Sequence, residues 1–192
     1  MIDQKQQKSY CPYAFKGLAI EPDSSIKPCC RYDTSKDSDI PNTHSLNTPV
    51  DALDSNLFSN IRSKMERGQT IQGCWKCYND EEHGQKSMRQ SVNESRLGPH
   101  TELIEADHDD LKPLQIKLLS GASCNLACRM CQSHVSSKVY PVWESIGMPL
   151  KDPYKYDYAS EEIIRKNAES VRYLDLMGGE PFYHKKIVKL IS

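Results

Sequence analysis

With 192 residues, 38% of them apolar and 27% charged, the chain has room for one large domain or two small ones, but not for a rich core. Its 25 basic and 26 acidic side chains nearly cancel, to a net charge of −1, so bulk charge points to neither nucleic acid nor an anionic membrane as partner. No apolar run approaches the roughly 20 residues a membrane span needs. Residues 1–8 also lack the apolar stretch of a secretion signal, so a cytoplasmic location is expected.

Residues 1–10 are polar and read as a disordered N-terminus. Cys11-Pro12-Tyr13 follows, then an alternating stretch from Phe15 to Ile20 that predicts a strand. Pro22-Asp23-Ser24-Ser25 reads as a turn, and residues 26–32 as the returning strand of a small hairpin with a cysteine near each outer end. Residues 33–47 are rich in Ser, Asp, Asn, Thr and Pro and read as an exposed loop. Thr48-Pro49 signals a helix start. From Ser55 the apolar positions Leu57, Phe58, Ile61 and Met65 recur at helical spacing, with Gly68 as the stop. After Gly73-Cys74-Trp75-Lys76-Cys77 comes a polar segment, 79–95, that predicts a helix. Its sequon Asn93-Glu94-Ser95 reads as chance in a chain without a secretion signal.

Residues 98–112 carry Gly98-Pro99 and the acidic run Asp107-His108-Asp109-Asp110, and read as a linker. A strand over 114–119 leads into the sequence Cys124-Asn125-Leu126-Ala127-Cys128-Arg129-Met130-Cys131. A helix is expected over 136–146, and Tyr154, Tyr156 and Tyr158 fall in a loop. Ser160 caps a helix to about Glu169, with Glu161 and Glu162 favourable in its first turn. A second strand, 171–177, ends at Gly178-Gly179-Glu180-Pro181, and a last helix starts near Tyr183. Strand, helix, strand, helix argues for parallel β/α units.

The eight cysteines fall into two groups. In the second, Cys124, Cys128 and Cys131 are spaced C-x3-C-x2-C. Three thiolates that close can converge on one iron–sulfur cluster and leave a fourth iron open. This spacing, with Gly178-Gly179-Glu180 in the right order about fifty residues on, resembles the radical S-adenosylmethionine superfamily. The resemblance implies that Cys124, Cys128 and Cys131 bind a [4Fe–4S] cluster whose open iron is chelated by S-adenosylmethionine. Gly178, Gly179 and Glu180 would hold the cofactor's amino end, with Met130 standing where the family often has an aromatic near the adenine. Reductive cleavage would then give a 5′-deoxyadenosyl radical for hydrogen abstraction from a substrate.

In the first group, Cys11, Cys29 or Cys30, Cys74 and Cys77 form a four-ligand set. Alternation along a strand makes Cys29 the preferred member, with Cys30 the alternative. The run Cys74-x-x-Cys77 with Glu81 or Glu82, Gly84, Ser87 and Arg89 resembles the twitch domain, a short relative of the SPASM domain. That likeness implies an auxiliary [4Fe–4S] cluster.

The fold class so expected is α/β. A small α+β twitch-like domain over 11–97 with a β-hairpin would precede, over 113–192, the first β/α units of an incomplete TIM-like barrel, the chain being a partial and inactive piece of the enzyme. The substrate is unknown, a peptide or a small molecule, with peptide modification among the family's outcomes. An electron donor such as flavodoxin or ferredoxin is implied. The alternative is a non-catalytic zinc-binding interaction module with two sites, one of four cysteines and one of Cys124, Cys128, Cys131 and His134.

Overall fold

The computed structural model describes residues 9–44, 50–95, 97, 111–148, 152, 153, 155 and 159–192. The helix start at Thr48-Pro49, the acidic run 107–110, most of the linker 98–112, the first eight residues of the N-terminus and Tyr154, Tyr156 and Tyr158 lie outside them.

Four strands form one open, mixed sheet in the order β2-β1-β3-β4. They are β1 (Gly17–Ile20), β2 (Ile26–Lys27), β3 (Gln115–Leu119) and β4 (Tyr173–Met177). The hairpin β1–β2 is antiparallel, pairing Ala19 with Lys27 and Ile20 with Ile26. It is shorter than the sequence suggested at both ends. Pro12 sits with φ at −57° and opens a short helix, α1 (Tyr13–Lys16), where the alternation suggested strand. Pro28 follows β2 directly and has no N–H to extend the ladder.

The hairpin is not a sheet of its own. β1 pairs in parallel with β3, Gly17 opposite Gln115 through Ile20 opposite Leu118. β3 pairs in parallel with β4, Gln115 opposite Tyr173 through Leu119 opposite Met177. The strands of the N- and C-terminal segments therefore share a single backbone ladder.

Against the sheet lie α2 (Val50–Asp54) and α3 (Asn56–Glu66). Ser55 breaks them apart: its hydroxyl donates to the Ala52 carbonyl at 2.7 Å, and its backbone is extended. The apolar spacing of α3 is realised as foreseen, with Leu57, Phe58, Ile61 and Met65 all buried. Gly68, at φ +66°, ends the helix and donates its N–H to the Met65 carbonyl at 2.9 Å. Phe58 meets Leu18, Ile20, Ile116 and Leu118 in one core, each of them almost fully buried.

The segment foreseen as one polar helix is two. α4 (Trp75–Glu82) and α5 (Met88–Glu94) are separated by Gly84 at φ +71°. α5 begins with a capping box in which Ser87 and Gln90 each satisfy the other's backbone N–H. In the C-terminal half, α6 (Tyr140–Ser145), α7 (Ala159–Lys166) and α8 (Lys185–Ile191) complete the chain. Ile163 and Ile164 of α7 and Ile187 of α8 reach the same core.

Candidate functional site

Three separate pieces of chain bring the first group of cysteines together. Cys11 precedes α1, Cys29 lies in the turn after β2, and Cys74 and Cys77 open α4. Cys11 and Cys77 are buried; Cys29 and Cys74 are half-buried. Burial pushes the Cys11 thiol well up, and neighbouring Cys29, Cys74 and Cys77 push it further. Burial, with Cys29 and Cys77 adding to it and Arg89 opposing, raises Cys74 to about 12. Burial also raises Cys29 to about 11. The four thiols thus lie within electrostatic reach of one another, and Cys11, Cys29 and Cys74 are protonated at neutral pH. Of the adjacent pair, Cys29 acts on Cys11 and Cys74, whereas Cys30 acts on Cys29.

The clasp around these thiols came mostly from residues the sequence did not flag. The hydroxyl-bearing end of the Tyr32 ring packs against Gly73, leaving no room there for a side chain. Asp33 donates its N–H to the Gly73 carbonyl at 2.9 Å, and the Trp75 indole donates to the Asp33 carboxylate at 2.8 Å. Those two bonds fix the Cys29 turn to the Cys74 turn. Tyr32 also donates its hydroxyl to Asp37 at 3.0 Å. On the other side, Arg89 joins Glu81, not Glu82, in an ion pair with little solvent access. Arg89 also reaches the Tyr10 carbonyl at 3.1 Å, and Asn93 the same carbonyl at 3.2 Å. α4 and α5 are thereby tied to the residue just before Cys11. Only Glu81, Ser87 and Arg89 carried a sequence signal. Nothing in the local pattern marks Tyr10, Tyr32 or Asp33.

The second group does not converge. Cys124 is buried, Cys131 half-buried and Cys128 exposed. The Cys124 sulfur accepts the Leu126 N–H at 3.3 Å, so it is engaged inside its own loop. The Cys131 N–H closes a turn onto the Cys128 carbonyl at 3.0 Å. Trp143 donates to the Cys131 carbonyl at 3.3 Å. Met130 is 93% exposed.

The Cys124 loop and the glycine pair do meet, by backbone. Gly179 donates to the Gly121 carbonyl at 2.8 Å, and Glu180 to the Ser123 carbonyl at 2.9 Å. The backbone of residues 121–123 fills the space where side chains on Gly178 and Gly179 would stand. Gly178 also holds φ at +122°. The close approach these glycines permit is therefore between two loops of the same chain. The Glu180 carboxylate caps the turn Pro181–Tyr183 by accepting the Phe182 N–H at 3.2 Å.

Among the described residues, no group of three or more His, Cys, Asp and Glu side chains is gathered so as to hold a metal ion. No family model matches the chain, and neither any curated protein nor any solved structure is significantly similar to it. These findings overturn the likeness to the radical S-adenosylmethionine and twitch or SPASM families. They overturn the enzymatic assignment, the two [4Fe–4S] clusters and the S-adenosylmethionine site with it. The physical reason is plain at Cys124, Cys128 and Cys131, where one sulfur is turned inward to an N–H and another faces solvent. The zinc alternative fails as well, since neither the four-cysteine set nor Cys124, Cys128, Cys131 and His134 is gathered among the described residues so as to hold a metal ion. No helix among the described residues is long and apolar enough to cross a membrane.

Proposed function

We propose that this chain is a non-enzymatic, thiol-based redox-responsive module. In it, Cys11, Cys29, Cys74 and Cys77 set the rigidity of the N-terminal half according to their oxidation state. The observation that carries the reading is the approach of four thiols, two buried and two half-buried, from three chain segments. Thiols this desolvated are poor attacking groups, since the thiolate is the nucleophile. That argues against a catalyst of disulfide exchange and for slow, stoichiometric closure.

Cys74 and Cys77 are the first pair to close. Residues three apart in a helical turn have Cβ atoms about 5–6 Å apart, a small movement from the disulfide range of roughly 3.5–4.5 Å. Closure by a low-molecular-weight disulfide such as oxidised glutathione is balanced. Each cysteine loses its proton, one sulfur–sulfur bond forms, and the glutathione disulfide is reduced to two thiols. Cys11 and Cys29 form the second pair. Eight free thiols suit a reducing compartment, and we place the chain in the cytoplasm on that ground. The α/β fold class is part of the same proposal.

The test is incubation over a range of reduced to oxidised glutathione ratios, then alkylation in denaturant and peptide mapping. Loss of two thiols as a Cys74–Cys77 link, then two more as Cys11–Cys29, is the expected result. Four thiols that remain alkylatable at the most oxidising ratio, or links running instead to Cys128, overturn the proposal.

A further inference from the structure

Two cysteines of the C-terminal loop stand in a relation that needs no third ligand. Cys128 and Cys131 are the first and last residues of a four-residue turn, closed by the Cys131 N–H on the Cys128 carbonyl at 3.0 Å. Such a turn keeps its end Cα atoms less than about 7 Å apart. A disulfide spans roughly 4.4–6.8 Å between Cα atoms. The backbone of Arg129 and Met130 therefore already holds the two cysteines near bridging range, and closure asks for rotation of their side chains with little change in the backbone.

The loop is anchored at both ends. The Ser137 hydroxyl accepts the Cys124 N–H at 3.2 Å, and the Trp143 indole donates to the Cys131 carbonyl at 3.3 Å. Cys124 does not compete for either partner, since it is buried and its sulfur is engaged with the Leu126 N–H and carbonyl. The turn follows β3, which runs parallel to β4, with α6 and α7 between them in the chain. A C-x-x-C pair beside such a β/α/β unit is a redox arrangement.

We infer that Cys128 and Cys131 form a dithiol that reduces disulfides, Cys128 attacking and Cys131 resolving. Access assigns the roles: Cys128 is exposed and Cys131 half-buried, and exchange starts at the sulfur an incoming disulfide can reach. The Cys128 thiolate attacks one sulfur of the disulfide, forms a mixed disulfide with it and expels the other sulfur as a thiolate. The Cys131 thiolate then attacks the Cys128 sulfur and expels the second. One sulfur–sulfur bond breaks and one forms, the protons of Cys128 and Cys131 pass to the two leaving thiolates, and the substrate gains the two electrons the chain loses. The site draws on none of Cys11, Cys29, Cys74 and Cys77 and does not depend on their closure.

The probe is oxidised glutathione added to the fully reduced chain, with a disulfide-bridged peptide in a parallel arm. Samples are quenched in acid, alkylated and mapped. The expected result is an early Cys128–Cys131 link, with two thiols released per chain before any of the four N-terminal cysteines is lost. Release from either disulfide supports the inference, and the faster arm names the source; release from neither overturns it. Cys128→Ser should abolish the early release. Cys131→Ser should release one thiol and stop at a mixed disulfide on Cys128. Circular dichroism checks that both variants fold, and the map of the parent chain decides the matter by itself if one does not. A mixed disulfide that persists on Cys128 in the parent, or an early link to Cys124 in place of Cys131, overturns the inference. A link within the 128–131 turn leaves the N-terminal four to be scored on their own, so this inference and the redox reading of those four fail separately.

Discussion

Arg89 grips Glu81 with two parallel bonds, Nε to Oε1 at 2.9 Å and Nη2 to Oε2 at 2.5 Å, and extends its remaining nitrogen to the Tyr10 carbonyl. Ser87 adds a third donor to Glu81 Oε1. One guanidinium thus joins α4, α5 and the segment entering Cys11. The fork geometry is bidentate, the form in which such pairs are strongest.

Removing one partner leaves the other poorly solvated and alone. Arg89→Ala is expected to cost about 3–5 kcal/mol, read as a fall in the denaturant midpoint. The pH dependence has a definite sign. Burial raises the Glu81 carboxyl, but the bonds from Arg89 and Ser87 outweigh it and hold the group below its ordinary value of 4.5. A depressed carboxyl contributes stability above its unfolded value and loses it as pH falls through the folded one. The thermal midpoint should therefore drop below about pH 4.5, and the Glu81→Gln variant should lose that part of the slope. An unchanged slope would place the acid sensitivity elsewhere.

Gly73 offers a second test, since its missing side chain is what lets the Tyr32 ring lie on the turn before Cys74. Gly73→Ala should overpack this contact and cost about 1–3 kcal/mol. The Asp33–Gly73 bond would loosen with it, so Cys29 and Cys74 should alkylate faster than in the parent chain. Tyr32→Leu in the same background, which shrinks the ring that clashes, should restore part of the stability. A variant as stable as the parent would mean that the ring moves aside freely.

How much of this was legible in the chain depends on whether the pattern is local. The buried face of α3 was, because Leu57, Phe58, Ile61 and Met65 keep a 3.6-residue period that nothing else explains. β3 and β4 were legible from short apolar runs between turn residues. The pairing of β1 with β3 was not. Nearly a hundred residues separate Gly17 from Gln115, and no period in either strand names its neighbour. The cysteines show the same limit. Spacing puts Cys124, Cys128 and Cys131 in one loop, but it does not say which way each sulfur turns, and here the Leu126 N–H takes one of them. Cys11, Cys29, Cys74 and Cys77 look scattered in the chain, yet the Tyr32–Gly73 contact and the Arg89 fork draw them together. Glu81, Ser87 and Arg89 of the fork stood out in the sequence, but the Tyr32–Gly73 contact has no local sequence signature.

Gly179 tests the junction of the two C-terminal loops. A methyl group there would strike the Ser123 carbonyl, which accepts the Glu180 N–H. Gly179→Ala should break both the Gly179–Gly121 and Glu180–Ser123 bonds at a cost of about 1–3 kcal/mol. Hydrogen exchange should show the amides of Gly179 and Glu180 losing protection while those of β3 keep theirs. Uniform loss across the sheet would mean instead that the junction is needed for β4 to dock at all.

Thiol labelling separates the two cysteine groups by rate. Cys128 is exposed, so iodoacetamide meets it without any opening of the fold. Cys74 is held at about 12, first by burial and then by Cys29 and Cys77. At pH 8 only about one Cys74 in ten thousand is then thiolate, and the thiolate is the form that reacts. Cys128 should therefore label first in the native chain. Cys11, Cys29 and Cys74 should follow far more slowly, at rates that rise with pH well past 9. Arg89 opposes the rise at Cys74, so Arg89→Lys, which keeps the charge but not the fork, should change the Cys74 rate less than Arg89→Met does. Equal rates for both variants would show that the guanidinium acts on Cys74 through packing and not through its charge.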